Sequence, residues 1–474
     1  MRIKTTTIII YFFATSVFFS QNRISAVASK INEVLRDSFF LSTQISIDVY
    51  NLTKGEQVFK KDEKLLLRPA SNMKILTTAS ALYFLGPDYN FETTLWINGE
   101  IEDSILLGDV YFLGGFDPDF TLDDLTIMIS ELKKNGIKQV AGNVCLDISN
   151  TDSLFWGEGW MWDDEPSTDF PYLNSFVIND NAASIIYRPA ENIGEPAIVE
   201  FLYPNNFDII NNSITVADKQ SKLKITRDWV NRSNTIIIDG SISQSSKPDT
   251  TRISIFYPNE YLLFLLNDVI KSNNILVEGE FIIQERPETA KMIFSFKRPF
   301  SEVIVNLNKE SDNLSAEMTL RALAYDKFNS KSNASKGLNF IDSLVTIIGL
   351  DANKYRFADG SGVSHYNLIT TELLNTILKY FYNNKPELFG VLYNSFPIAS
   401  VDGTLKYRMK NTMASGNVHA KTGTLSGVSS LSGYLTAKSG NMISFSIMEQ
   451  NYVISARKAR EIQDKICNIL IEEL

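Results

Sequence analysis

Pro69-Ala70-Ser71-Asn72-Met73-Lys74 opens an apolar run that continues to Leu85 and is closed by Gly86-Pro87. The pattern predicts a helix with a serine at its first turn and a lysine one turn later. Positions i and i+3 share a helix face, so the Lys74 amine can reach the Ser71 hydroxyl. A desolvated lysine there can act as the base that activates the serine. The positive end of the helix dipole favours negative charge developing on the reacting oxygens.

Ser-x-x-Lys alone is a weak signal, because it occurs four times: at Ser71, Ser130, Ser221 and Ser455. Ser130-Glu131-Leu132-Lys133 ends a helical pattern, where a lysine suits the negative end of the dipole. Ser221-Lys222-Leu223-Lys224 lies in a strand-like run, which points positions i and i+3 to opposite faces. Ser455-Ala456-Arg457-Lys458 starts the last helix among other charges and reads as a solvated cap. Only Ser71 opens a helix of buried composition.

Two further elements supply complementary chemistry. Ser311-Asp312-Asn313 precedes a helix-forming run; its hydroxyl can pass a proton and its asparagine amide can hold a substrate amide. Lys421-Thr422-Gly423-Thr424 enters a strand from His419-Ala420. An amine and a hydroxyl there can bind a carboxylate, and Gly423 permits the close approach of a substrate backbone. Lys438-Ser439-Gly440 reads instead as a hairpin turn. A serine–histidine triad is disfavoured, since no Gly-x-Ser-x-Gly elbow is present and only His365 and His419 are available. His419 reads as a strand residue, and Trp160 and Trp162 as packing residues.

The order SxxK, SDN, KTG resembles the serine–lysine set of penicillin-binding proteins and class A β-lactamases. From Ser71 to Ser311 is 240 residues, longer than a compact β-lactamase permits. The gap resembles the D-alanyl-D-alanine carboxypeptidases of the peptidase S13, or penicillin-binding protein 4, family, in which large extra domains are inserted between the first two motifs. The glycine-rich run from Gly108 to Asp117-Pro118 is similar to that family. So are the Trp-rich turn Gly159-Trp160-Met161-Trp162-Asp163-Asp164, Asp359-Gly360-Ser361-Gly362 and Asp402-Gly403-Thr404-Leu405. His365 is a departure, standing where the family has arginine.

The resemblance implies a role for each matching residue. Ser71 would be the nucleophile and Lys74 its base. Ser311 would relay a proton to the leaving D-alanine amine, and Asn313 would hold the acyl-side amide. Lys421 and Thr422 would bind the terminal carboxylate, and the backbone N–H groups of Ser71 and Thr424 would form the oxyanion hole. Loss of one such donor raises a barrier by about 2.7–4 kcal/mol. The implied activity is that of a serine carboxypeptidase, a DD-endopeptidase or both, acting on peptidoglycan stem peptides and covalently inhibited by β-lactams, with no cofactor. The competing functions are a β-lactamase, for which Glu372-Leu373-Leu374-Asn375 is one residue short of the deacylation motif, and a non-enzymatic wall-binding scaffold.

The remaining chain supports an α+β fold. Thr43–Asn51 and Gln57–Lys60 read as strands, followed by the Ser71 helix. Between Phe91 and Pro287 short strands dominate, interrupted by one helix, Leu122–Lys134. After Pro287 helices return, then three strands near 418–449 and a closing helix, Ser455–Leu474. The expected organisation is one antiparallel sheet flanked by helices, formed by residues 21–90 and 288–474. Residues 91–287 are a β-rich insertion of one or two subdomains.

Composition bounds the partners. The chain has 474 residues and a net charge of −10, with no basic stripe, which argues against nucleic acid. Arg2 and Lys4 precede an apolar run, Ile8–Phe19, that is too short for a comfortable membrane span. It reads as a secretory signal cut near Ser20 or Gln21. An exported protein of the bacterial periplasm or cell wall is expected, with no transmembrane anchor. Cys145 and Cys467 are compatible with a disulfide in an oxidising compartment or with two buried thiols. Two cysteines and two histidines leave no soft-metal cluster of the usual spacing.

Overall fold

The computed structural model describes residues 23–218, 220–328 and 330–474; the expected secretory segment, residues 1–20, lies outside them. The chain divides into two compact units. One comprises residues through Pro87, Ile304–Asp312 and Leu338–Leu474; the other comprises Asp88–Val303 and Asn313–Gly337.

The first unit is built on a five-stranded sheet. Its strands are β1 (Gln44–Asn51), β2 (Glu56–Lys61), β3 (His419–Leu425), β4 (Val428–Thr436) and β5 (Met442–Gln450), in the order β3-β4-β5-β1-β2. Every pairing is antiparallel. The two ends of the chain therefore share one sheet, as the sequence predicts. Strand β5 is buried along nearly its whole length, because helices cover both faces. Ile443, Phe445 and Ile447 share a core with Ile47, Val49 and Leu431 from the sheet, and with Ile462, Ile466 and Leu470 of the C-terminal helix Arg457–Glu473. The alternate positions carry small polar groups, and Ser432 and Ser446 hydrogen bond across the strands at 2.8 Å. On that side Thr371, opening the helix Thr371–Asn384, meets Ser46 of β1 at 2.6 Å, and the Tyr434 hydroxyl donates to Leu378 O at 2.9 Å.

One carboxyl is sealed between β5 and the last helix. Glu449 is fully buried and accepts from Gln463 Nε2 at 2.6 Å. Burial pushes it up from 4.5 to about 8, against smaller opposing effects of Gln463 and Arg408. Between those pH values the unfolded chain has released this proton and the folded chain still holds it. The stability this one group contributes is therefore fully present below pH 4.5 and is lost as pH rises through about 8. Glu449→Gln is expected to flatten that slope in chemical denaturation measured across this range.

The second unit has its own core, with Leu95, Val110 and Phe112 from a sheet packed on Leu125, Ile129 and Leu132 of the helix Leu122–Lys134. That helix occupies the predicted span and starts at a capping box formed by Thr121 and Asp124. A second helix, Pro258–Ser272, was not expected. Pro258 occupies its first turn, and Leu262, Leu265, Leu266, Val269 and Ile270 form its buried face. The unit boundary also falls later than residue 288. Lys291–Pro299 pairs antiparallel with Asn90–Glu102, which fixes it in the second unit. The helix Asn313–Phe328 belongs there too, where Phe116 meets Tyr325 with ring centroids 5.7 Å apart. Cys145 and Cys467 are both free and buried. Among the described residues no helix is long and apolar enough to cross a membrane.

Candidate active site

Ala70–Asn72 forms a short 3₁₀ turn leading directly into the helix Met73–Phe84. Ser71 thus sits just ahead of the α-helix. Ala70 adopts φ +48°, a left-handed conformation that costs a non-glycine residue about 1–3 kcal/mol. Lys74 is fully buried. Its Nζ donates to Ser71 Oγ at 3.1 Å and to the Ser361 carbonyl at 2.8 Å.

That carbonyl comes from the Asp359-Gly360-Ser361-Gly362 turn. The Asp359 carboxylate accepts from Gly362 N at 2.8 Å, Ser364 N at 2.7 Å and Asn367 Nδ2 at 2.7 Å. Thr77 on the serine helix donates to Gly360 O at 2.6 Å. Gly362 has φ +87°, and a Cβ there would lie 1.9 Å from Ala70 O. The turn therefore clasps the strained end of the serine helix. Gly362→Ala is expected to destabilise the fold by about 3 kcal/mol or more, read as a lowered thermal midpoint.

Ser311 follows a π-helical turn, Asn306–Glu310, and itself takes φ +64°. Asn308 within that turn donates to Thr78 Oγ1 at 3.1 Å and to Ser395 Oγ at 2.9 Å, anchoring it to the serine helix. Lys421 Nζ donates to Ser311 Oγ at 2.7 Å and to Thr422 O at 3.0 Å. Burial drives the Lys421 amine well below its usual range, and the charge of Lys74 pushes the same way. The Asn72 side chain, oriented to satisfy both ends of its amide, donates to Lys421 O at 2.8 Å and accepts from Leu431 N at 3.2 Å.

The strand β3 lies directly against the serine turn. A Cβ on Gly423 would stand 2.9 Å from Ser71 N, 2.8 Å from Pro69 O and 2.2 Å from Ser430 Oγ. The close approach that requires glycine is thus made by the chain's own backbone, where the sequence suggested a substrate. Ser430 Oγ donates to Pro69 O at 2.7 Å. Thr422 Oγ1 donates to Thr404 Oγ1 at 2.7 Å, while Thr424 is exposed and accepts from Arg460 Nη2 at 3.3 Å. Asp402, beside Thr404, forms an ion pair with Lys309. His419 stacks on Tyr393 at 4.0 Å between ring centroids. His365 accepts from Arg68 Nη1 at 3.0 Å.

Ser71, Lys74, Ser311, Lys421, Thr422, Gly423 and Thr424 therefore all fall in the first unit, linked by these contacts. Asn313 belongs to the second unit, where its Nδ2 donates to Asp169 O at 2.6 Å. The sequence pointed to neither Asn308 nor the Ser361 carbonyl. For the latter the sequence offered only the segment Asp359-Gly360-Ser361-Gly362, by its resemblance to the family. Among the described residues no group of three or more His, Cys, Asp or Glu side chains is arranged to hold a metal.

An antiparallel five-stranded sheet between helices, with a serine on the turn before one of them, defines the serine β-lactamase and DD-peptidase class of fold. The chain belongs to the D-Ala-D-Ala carboxypeptidase 3 (S13) family, whose sequence profile matches residues 27–472. It is 27% identical over 400 residues to the D-alanyl-D-alanine carboxypeptidase DacB of Haemophilus influenzae, covering 83% of each chain. The crystal structure of penicillin binding protein 4 (dacB) from that organism superposes with a TM-score of 0.81 at 24% identity, over 92% of this chain and 97% of that one. The same protein complexed with a β-lactam gives 0.74 at 22% identity, with the same coverage. The two structures establish the likeness of fold.

Proposed function

We propose that this protein is an exported serine D-alanyl-D-alanine carboxypeptidase, DD-endopeptidase or both, acting on peptidoglycan stem peptides through an acyl-enzyme on Ser71. The observation that carries the proposal is the pairing of a fully buried lysine with each hydroxyl: Lys74 on Ser71 and Lys421 on Ser311. Lys74 would take the Ser71 proton as Oγ attacks the D-alanyl carbonyl. Ser311, in contact with Lys421, would return a proton to the departing amine. Backbone N–H groups of Ser71 and Thr424 would receive the oxyanion. Thr422 and Lys421 would hold the terminal carboxylate, and Asn313 the acyl-side amide. Family membership and the basic-apolar start of the sequence support export to a bacterial periplasm or wall. Glu372 and Asn375 are part of the helix Thr371–Asn384, and nothing in that helix favours the β-lactamase alternative.

The test is product analysis. Release of free D-alanine from a stem pentapeptide is expected, and cleavage of cross-links in intact sacculi would add the endopeptidase. Both should be blocked by prior treatment with benzylpenicillin. Rapid turnover of the penicillin with no peptide product would overturn the proposal.

A further inference from the structure

The buried Asn313 side chain is held by a segment that has neither helix nor strand, residues 165–178. An amide nitrogen carries two protons in one plane. Fixing one of them on Asp169 O sets the direction of the other and of Oδ1. Asp169 itself is exposed and its N donates to Ser167 Oγ at 3.1 Å, so its carbonyl is placed by this local turn together with what anchors the segment on either side.

The anchor is an ion pair inside the second unit. Arg227 is the largest of its fully buried side chains. Its Nε donates to Ser254 O at 3.0 Å and its Nη1 to Ser233 O at 3.1 Å, while Nη2 pairs with the Glu165 carboxylate. The other Glu165 oxygen accepts from the Tyr172 hydroxyl at 2.6 Å. Ser254 N donates in turn to Pro166 O at 3.0 Å. One carboxylate therefore ties down both ends of the span from 165 to 172, with Asp169 in the middle. Aromatic packing fills the span: Phe170 meets Trp160 at 5.5 Å between ring centroids, and Tyr172 meets Trp156 at 5.1 Å. A buried ion pair is costly unless its remaining hydrogen-bonding groups are satisfied, and here two backbone carbonyls and a tyrosine complete it.

We propose that Glu165, Arg227 and Tyr172 are positioning residues that act through the Asp169 carbonyl to aim the Asn313 amide at the amide of the substrate's acyl side. This rests on the role given to Asn313 above, and it makes the inserted unit a determinant of acylation selectivity. The two penicillin nuclei separate this effect from general loss of structure. Benzylpenicillin carries the acyl-side amide, whereas 6-aminopenicillanic acid lacks its carbonyl.

Second-order acylation rates are measured for both compounds on the exported chain. Glu165→Ala is expected to slow benzylpenicillin by about 10-fold, the scale of a modest misplacement, and to leave 6-aminopenicillanic acid unchanged. In an Asn313→Ala background the same substitution should cost nothing further. Glu165→Gln, which can retain bonds to Arg227 and Tyr172, should restore most of the rate. Tyr172→Phe removes one hydroxyl, is expected to give a smaller loss with the same selectivity, and carries the test if Glu165→Ala does not fold. Equal losses on both compounds, or an undiminished loss in the Asn313→Ala background, would overturn the proposal. If Asn313→Ala alone leaves the ratio of the two rates unchanged, the role of Asn313 fails first. If Asn313→Ala lowers the ratio and Glu165→Ala does not, only the positioning role fails.

Discussion

Ser71→Ala is expected to abolish covalent labelling by a fluorescent penicillin and to lower peptide hydrolysis by about 10⁶-fold, the scale of losing a nucleophile that works as part of a unit. The substitution removes one oxygen and leaves the rest of the site in place. Lys74 keeps its bond to the Ser361 carbonyl, and Ser311 keeps Lys421. The 3₁₀ turn is held by Gly362, Gly423 and Ser430 rather than by the serine hydroxyl. The variant should therefore melt close to the parent while reacting with nothing. This matters because three other Ser-x-x-Lys sites remain in the chain. Ser130 donates to its own helix at Ile127 O, 2.7 Å away, and Ser455 accepts from Arg457 N at 3.3 Å beside the last helix. Label remaining on any of them, in place of complete loss, would show that the nucleophile had been misassigned.

Much of the candidate site was legible in the sequence because it is assembled from side chains in short, fixed patterns. A hydroxyl and an amine at i and i+3 need only a helix to bring them together. The sheet was legible for a different reason: β1 alternates apolar and polar residues, and strand-like runs at the two ends of the chain demanded a common partner. The helix Pro258–Ser272 was missed because its apolar run follows a strand and offers no side-chain cap. Tyr257 precedes it in the left-handed conformation instead. The end of the insertion was misplaced because Lys291–Pro299 becomes a strand only through its pairing with Asn90–Glu102, a contact nearly 200 residues distant in sequence.

The rest of the site works through backbone atoms, which have no letter of their own. Lys74 is oriented by the carbonyl of Ser361, Ser430 by that of Pro69, and Asn313 by that of Asp169. What the sequence does record is the glycine such contacts require. Gly362 and Gly423 both approach the residues around Ser71 to distances that exclude any Cβ. The strained residues tell the same story from the other side. Ala70 and Ser311 both have positive φ, and each immediately adjoins or carries a hydroxyl of the site. Strain of this kind persists only where surrounding contacts over-determine it, and the Asp359 network and the Asn308 bonds do so here.

Lys74→Met separates the two lysines. Lys74 contacts Ser71, and Lys421 contacts Ser311, so the first should govern attack and the second the relay. A general base is worth about 10²–10⁴-fold, and acylation by benzylpenicillin should fall by that amount in Lys74→Met. Methionine has nearly the length of the lysine stem and needs no buried hydrogen-bond partners. Loss of the bond from Lys74 to the Ser361 carbonyl is expected to cost the fold about 1–3 kcal/mol. Removing the Lys74 charge also relieves one of the two influences that hold the Lys421 amine low. Lys421 should then carry its proton to higher pH, and whatever acylation remains should have its pH profile displaced in the same direction. Near-normal acylation in Lys74→Met would remove the lysine from the role of base, and an unmoved pH profile would remove Lys421 from the reacting proton network.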